Sequence, residues 1–164
     1  MIRTMLYATD LGVYAPFVMQ HALVMARTFE AELYVIHAVE PMGQFAESLL
    51  QSYLDERTLD QLHSQGVNTV MANIEQRVLA NFRDELGEAD LALIKAVRVR
   101  QGDPATVILE QAQRLDADLL IFGSHCQGAG AEVPLGRTAV RLLQLSPVPV
   151  YMVPLAQHLG RRKE

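Results

Sequence analysis

At 164 residues, 50% of them hydrophobic, the chain has enough apolar material for one buried core but not for two ordinary domains. A net charge of -5, with Arg161, Arg162 and Lys163 as the only basic run, excludes a broad electrostatic grip on nucleic acid, which needs clustered cations. The single cysteine, Cys126, excludes an internal disulfide framework and fits a reducing compartment, and no stretch approaches the roughly 18 to 20 apolar residues of a membrane span.

Met1 to Asp10 has no positively charged leader followed by a long apolar run, so a cytoplasmic protein without membrane insertion is expected. Residues 2–8 are short and mostly apolar and run into Thr9, Asp10 and Gly12, which predicts a strand followed by a turn. From Val13 to Phe29, the residues Val18, Ala22, Met25 and Phe29 recur at helical spacing, which predicts one apolar stripe facing a sheet. Pro16 falls in the first turn of that helix, where a missing N–H costs nothing.

Residues 32–39 are rich in β-branched and aromatic side chains and predict a second, buried strand. Between Pro41 and Gly87 the pattern is helical, with Leu50 and Leu54 in a first piece, Met71, Ile74, Val78 and Phe82 in a second, and Gly66 as the break. Leu91 to Arg100 ends in alternation, Val97 and Val99 against Arg98 and Arg100, and predicts a third strand with one partly solvated face.

Gly102-Asp103-Pro104 then turns the chain into a helix striped by Val107, Ile108, Ala112 and Leu115. Asp118 to Phe122 is a fourth strand, Leu135 to Leu145 a last helix and Val148 to Val153 a last strand, whose Pro149 assigns it to a sheet edge. Strands alternating with helices predict a doubly wound α/β fold, a five-stranded parallel sheet with helices on both faces.

In such sheets ligands bind beyond the carboxyl ends of the strands, where strand order reverses. The strands deliver Thr9 and Asp10, Ala38 to Glu40, Gly102 and Asp103, and the segment from Gly123 to that end. The last segment, GSHCQGAGAEVPLGRT, couples flexible positions to a helix start, whose N-terminus carries about +0.5 charge and attracts anions. The same composition also suits an ordinary surface loop that uses glycine for its turns.

The chain as a whole resembles the universal stress protein family. Its carriers are Asp10 after the first strand, His37-Ala38 at the second, Gly102-Asp103-Pro104 after the third, the spaced glycines Gly123 and Gly136, and Pro147-Val148-Pro149-Val150 in the last. The resemblance covers residues 1–154, leaves 155–164 as a basic C-terminal tail, and implies strand order 3-2-1-4-5. It implies a homodimer paired through residues 148–153, an unidentified protein partner, and ATP or a related adenine nucleotide, bound with Mg, as ligand.

By the same resemblance Thr9 and Asp10 meet the nucleoside, Ala38 the adenine and Gly102 the ribose. Gly123, Ser124, Cys126, Gly136, Arg137 and Thr138 hold the phosphates. Two residues depart from the family pattern: Cys126 stands in place of its second glycine and Arg137 in place of its hydroxyl residue. A cysteine either strains a left-handed backbone by about 1 to 2 kcal/mol or blocks backbone contact with phosphate. Gly128 and Gly130 offer another flexible point, and Arg137 a charge-assisted bond beside Thr138.

No second ligand cluster accompanies His125 and Cys126, so metal or thiol catalysis is not expected, and neither is a catalytic role beyond slow ATP hydrolysis. Arg100 and Gln101 stand where a phosphorelay receiver carries its aspartate, and Asp10-Leu11-Gly12-Val13 where adenine-nucleotide hydrolases of similar fold carry a Ser/Gly-rich loop. Two readings stay open: a nucleotide-binding regulatory module, or a nucleotide-free stress protein acting by dimerisation and protein binding. His21 and His37 read as core histidines, and the basic run as a solvated tail.

Overall fold

The computed structural model describes residues 1–41, 52, 55–57, 66–124 and 135–155. The first strand, β1 (Thr4–Ala8), holds Met5, Leu6 and Tyr7, none more than 1% exposed. Helix α1 (Ala15–Phe29) follows and returns the chain to β2 (Glu32–Val39), which pairs with β1 in parallel, Leu6 opposite Tyr34. After the segment 42–65 come α2 (Val67–Glu85), the single turn α3 (Glu88–Leu91) and β3 (Ile94–Gln101). Helix α4 (Pro104–Arg114), β4 (Leu119–Gly123), α5 (Arg137–Leu145) and β5 (Val150–Val153) complete the order.

The five strands form one parallel sheet in the order β3-β2-β1-β4-β5, the doubly wound topology expected. Because side chains alternate along each strand, the sheet builds two cores. Met5, Tyr7, Leu33, Val35 and Ile121 pack under α1 and α2, while Leu6, Ile36, Leu120 and Phe122 pack under α4 and α5. Helices on both faces explain why β1 and β4 read as continuous apolar runs.

Three details depart from the sequence expectations. The buried stripe of α1 is Val18, Met19, Ala22, Leu23 and Ala26, and Phe29 is 43% exposed. Phe29 misses the core because it is the last residue of the helix, directly before Glu30 at φ 52 turns the chain toward β2. The third strand starts at Ile94, because Leu91 and Ala92 donate their N–H groups to the carbonyls of Gly87 and Glu88 and so belong to a helical turn. β5 starts after Pro149 rather than around it, though the Pro149 carbonyl still accepts the Leu120 N–H at 3.0 Å. The expected helix piece with Leu50 and Leu54 lies outside the described residues.

The Tyr7 hydroxyl is sealed between the sheet and α1, where it donates to the Ala15 carbonyl at 3.1 Å. Burial pushes its pKa from 10.0 up to about 12, against a hydrogen bond with Thr9 that lowers it and the Asp10 charge that raises it. A pKa raised in the folded state makes this contribution complete below about pH 10 and lost as pH climbs to about 12. Two units correspond to about 2 to 3 kcal/mol. Denaturant titrations should therefore show stability falling between pH 10 and 12, and Tyr7→Phe should remove that part of the fall.

Candidate functional site

Above the carboxyl ends of β1, β2 and β4 opens a cleft of about 270 Å³. It lies where the chain leaves β1 for β2 on one side and where β4 pairs on the other, the reversal of strand order. Its floor is apolar: Ala8, Ala38, Ile108, Phe122 and Leu142. Polar groups converge at the rim.

The β1–α1 turn places the first of them. Thr9 is buried and its N–H donates to the Ile36 carbonyl at 3.0 Å, which extends the sheet register by one residue. Its Oγ1 accepts the Leu11 N–H at 3.0 Å, and Asp10 Oδ1 accepts the Gly12 N–H at 2.9 Å. These two bonds hold Leu11 at φ 57, a conformation that disfavours an L side chain. Asp10 is thus a turn residue at the exposed rim of the cleft and does not cap α1, whose N-cap is Tyr14 with no side-chain bond.

From β2 come Ala38 and His37, both half-buried on the cleft wall. His37 Nδ1 lies 2.8 Å from the Thr9 carbonyl oxygen. A carbonyl can only accept, so Nδ1 is the donor in this bond. His37 is therefore a wall residue rather than a core histidine. The signal available in sequence was its place one residue before Ala38 at a strand end. His21 is also partnered, its Nδ1 3.0 Å from the Tyr151 hydroxyl, away from the cleft.

Gly102 stands apart from the cleft lining, although Pro104 of the same turn belongs to it. Its φ of +153 favours glycine, and a Cβ there would lie 2.7 Å from Val107 Cγ2. Its N–H donates to the Val39 carbonyl at 2.9 Å, so the residue closes the β3 end against β2. Asp103 caps α4, accepting from Thr106 N at 3.1 Å and Thr106 Oγ1 at 2.8 Å, and also pairs with Arg141 at 2.7 Å. The Thr106 bonds, aided by Arg141, hold the Asp103 carboxyl below its usual range.

At the β4 end Gly123 and Ser124 meet Gly136 and Thr138 along the same cleft. Ser124 is buried and ties three segments together. Its N–H donates to the Val153 carbonyl at 2.9 Å, its carbonyl accepts the Gly136 N–H at 2.8 Å, and its Oγ accepts the Leu155 N–H at 3.0 Å. Leu155 itself lines the cleft, a contribution that no local sequence pattern announces. Arg137, the first residue of α5, is exposed and does not line the cleft. Cys126 lies outside the described residues.

The lining includes two carboxylates, Asp10 and Glu40, one histidine, and no Lys or Arg among the described residues. Any anion bound there would depend on backbone N–H groups and the N-terminus of α5. Among the described residues no group of three or more His, Cys, Asp and Glu could hold a metal ion, and no helix is long and apolar enough to cross a membrane.

An apolar floor, converging polar groups and a helix N-terminus at a topological switch point define a doubly wound α/β protein with a cleft where such folds bind ligands. The chain belongs to the universal stress protein family, whose family model matches residues 1–154. It is 45% identical over 47 residues to universal stress protein Rv2319c of Mycobacterium tuberculosis, a match covering 29% of this chain and 16% of that relative. Among solved structures it is similar to universal stress protein UspA from Lactobacillus plantarum, at TM-score 0.61 and 17% identity, with 93% of this chain and 97% of that one covered. A universal stress protein solved in complex with cAMP aligns at TM-score 0.53 and 17% identity over 93% and 97% of the two chains.

Proposed function

We propose that the protein is a regulatory module that binds an adenine nucleotide, ATP, ADP or AMP, in the switch-point cleft. It passes occupancy on through dimerisation or contact with a partner protein rather than by turning over a substrate. The observation that carries this reading is the cleft itself: an apolar floor suited to a base, the Asp10 carboxylate suited to ribose hydroxyls, and the start of α5 suited to phosphate. A relative of the same fold was solved with cAMP, a ligand of the same chemical class.

In this reading Thr9 and Asp10 face the nucleoside, the Ala38 backbone the adenine and the Gly102 turn the ribose. The stretch of Gly123, Ser124 and Cys126, with Gly136, Arg137 and Thr138, faces the phosphates, accompanied by Mg. The apolar floor supports the base contact, while the lack of Lys and Arg among the described lining residues weakens the case for phosphates. Asp10 and Glu40, with no lining Lys or Arg among the described residues, favour the second reading, a nucleotide-free stress protein that acts by dimerisation and partner contact. Both readings place the protein in the cytoplasm.

Denaturing the purified protein and chromatographing the released small molecules, followed by calorimetric titration with MgATP, separates the two. An adenine nucleotide in the extract or a binding heat is expected. No nucleotide and no heat up to about 1 mM MgATP overturns the first reading.

A further inference from the structure

We infer that the chain carries a second small-molecule site, a cavity between α1 and α2 that takes an amine with an apolar body. It lies on the far side of the β1–α1 turn from the cleft and measures about 560 Å³ against about 270 Å³. The inference is independent of what the cleft binds.

The walls and the rim divide the work. Met19 of α1 and Val78, Phe82 and Leu86 from the C-terminal half of α2 and its cap line the cavity and belong to, or pack against, the α1–α2 core. Gln20, Asn81 and Glu85 also line it, and all three are exposed. An apolar body desolvated against the walls would leave a polar head among these three side chains, the usual arrangement of a ligand site.

Glu85 sets the sign of that head. It is the only charged residue among the described residues that line the cavity. It is also the last residue of α2, where the helix dipole adds about half a negative charge. Arg83, in the same turn, is outside the lining. Asn81 lies one turn earlier on the same side of α2 and, like Gln20, offers an amide oxygen as acceptor. An ammonium group brings three donors to these acceptors, whereas a carboxylate head would meet like charge.

Leu11 gives the cavity a second, separate mark. It lines the cavity, holds φ 57 and is 40% exposed. A left-handed backbone costs a leucine about 1 to 2 kcal/mol, and an exposed side chain recovers little of that. An apolar body in the cavity would cover it. Tyr7, Thr9 and Ala15 line both cavities, while Asp10 lines only the cleft and Leu11 and Gly12 only the second cavity. The turn is thus a partition with a working residue on either side.

Tryptamine and indole-3-propionate share an indole and a two-carbon arm and differ in the sign of the head, so they are the probes. In calorimetric titrations of the full chain at low salt, tryptamine should bind saturably with Kd of about 1 mM or tighter, and at least tenfold tighter than indole-3-propionate. Glu85→Gln should weaken tryptamine about threefold, and Glu85→Lys at least tenfold with a gain for indole-3-propionate. Glu85 is exposed, so both variants should melt like the parent. Amide NMR shifts on adding tryptamine should centre on Leu11, Gly12 and Asn81. Absence of saturable binding up to about 10 mM, or equal affinity for the two probes, overturns the inference. Parent-like tryptamine affinity in both variants overturns it too. Shifts centred on Ala38, Gly136 and Thr138 would put the amine in the cleft beside Asp10 and Glu40, and the second site would fall while the cleft remained.

Discussion

Met152→Pro is expected to convert the proposed β5-edge dimer into a monomer that keeps its fold. The Pro149 and Val153 carbonyls accept from Leu120 and Ser124, so odd-numbered residues turn their backbone toward β4. By strand alternation the backbone of Met152 then faces the open edge. A proline there removes no bond inside the sheet, while it deletes a donor from the edge and projects its ring where a second strand would pair. Trimming the half-buried Met152 side chain costs the monomer about 1 kcal/mol. Edge-to-edge pairing should weaken at least a hundredfold, or about 2.7 kcal/mol. Light scattering at tens of micromolar reads the outcome. A parent already monomeric, or a variant still dimeric, shows that the edge of β5 is not the contact.

Leu6→Ala should lower the unfolding free energy by about 3 to 5 kcal/mol, the largest effect of any single substitution considered. Leu6 sits in the middle strand, opposite Tyr34 on one side and Leu120 on the other, and is 1% exposed. The sheet fixes its backbone, and α4 and α5 are braced against the same core, so the void cannot collapse readily. For a chain of this length the loss corresponds to a midpoint about 10 °C lower or more. Circular dichroism melts check it. A loss below about 1 kcal/mol would mean that the α4–α5 core closes over the gap.

The sheet was largely legible in sequence because its signals are local. Short apolar runs such as Leu119 to Phe122, and turn residues such as Gly102-Asp103-Pro104, each specify an element within a few positions. Strand order came from resemblance rather than from periodicity, since no local pattern says that β4 lies beside β1. The α3 turn was hidden because Leu91 and Leu93 suit a strand as well as a helix, and backbone bonds to Gly87 and Glu88 decide between them.

At the site, residues at strand ends were readable and long-range ties were not. Thr9, Asp10, Ala38, Gly123, Ser124, Gly136 and Thr138 share one cleft, while Gly102 and Arg137 stand outside its lining. The bond from Leu155 to Ser124 joins positions 31 residues apart. Neither residue type advertises a partner at such a distance. His37 escapes local reading for a related reason: its apolar neighbours suggest burial, but the Thr9 carbonyl that its Nδ1 meets belongs to the turn after β1.

The two edges of the sheet differ in kind. At β3 the Val99 N–H donates to Glu75 Oε1 at 2.8 Å and the Val99 carbonyl accepts from Arg100 Nη1 at 2.9 Å, so side chains of the same molecule engage both backbone groups of Val99. Lys95, Arg98 and Arg100 add charge along the same strand. A protein with two open edges can add copies without limit, and each addition exposes a fresh edge for the next. The engagement of Val99 and these charges disfavour pairing at the β3 margin, so the proposed dimer through β5 would leave no equally receptive edge for further copies. In the proposed dimer, stoichiometry would follow from the unequal margins of one sheet, and a variant that freed Val99 would threaten solubility before it threatened the fold.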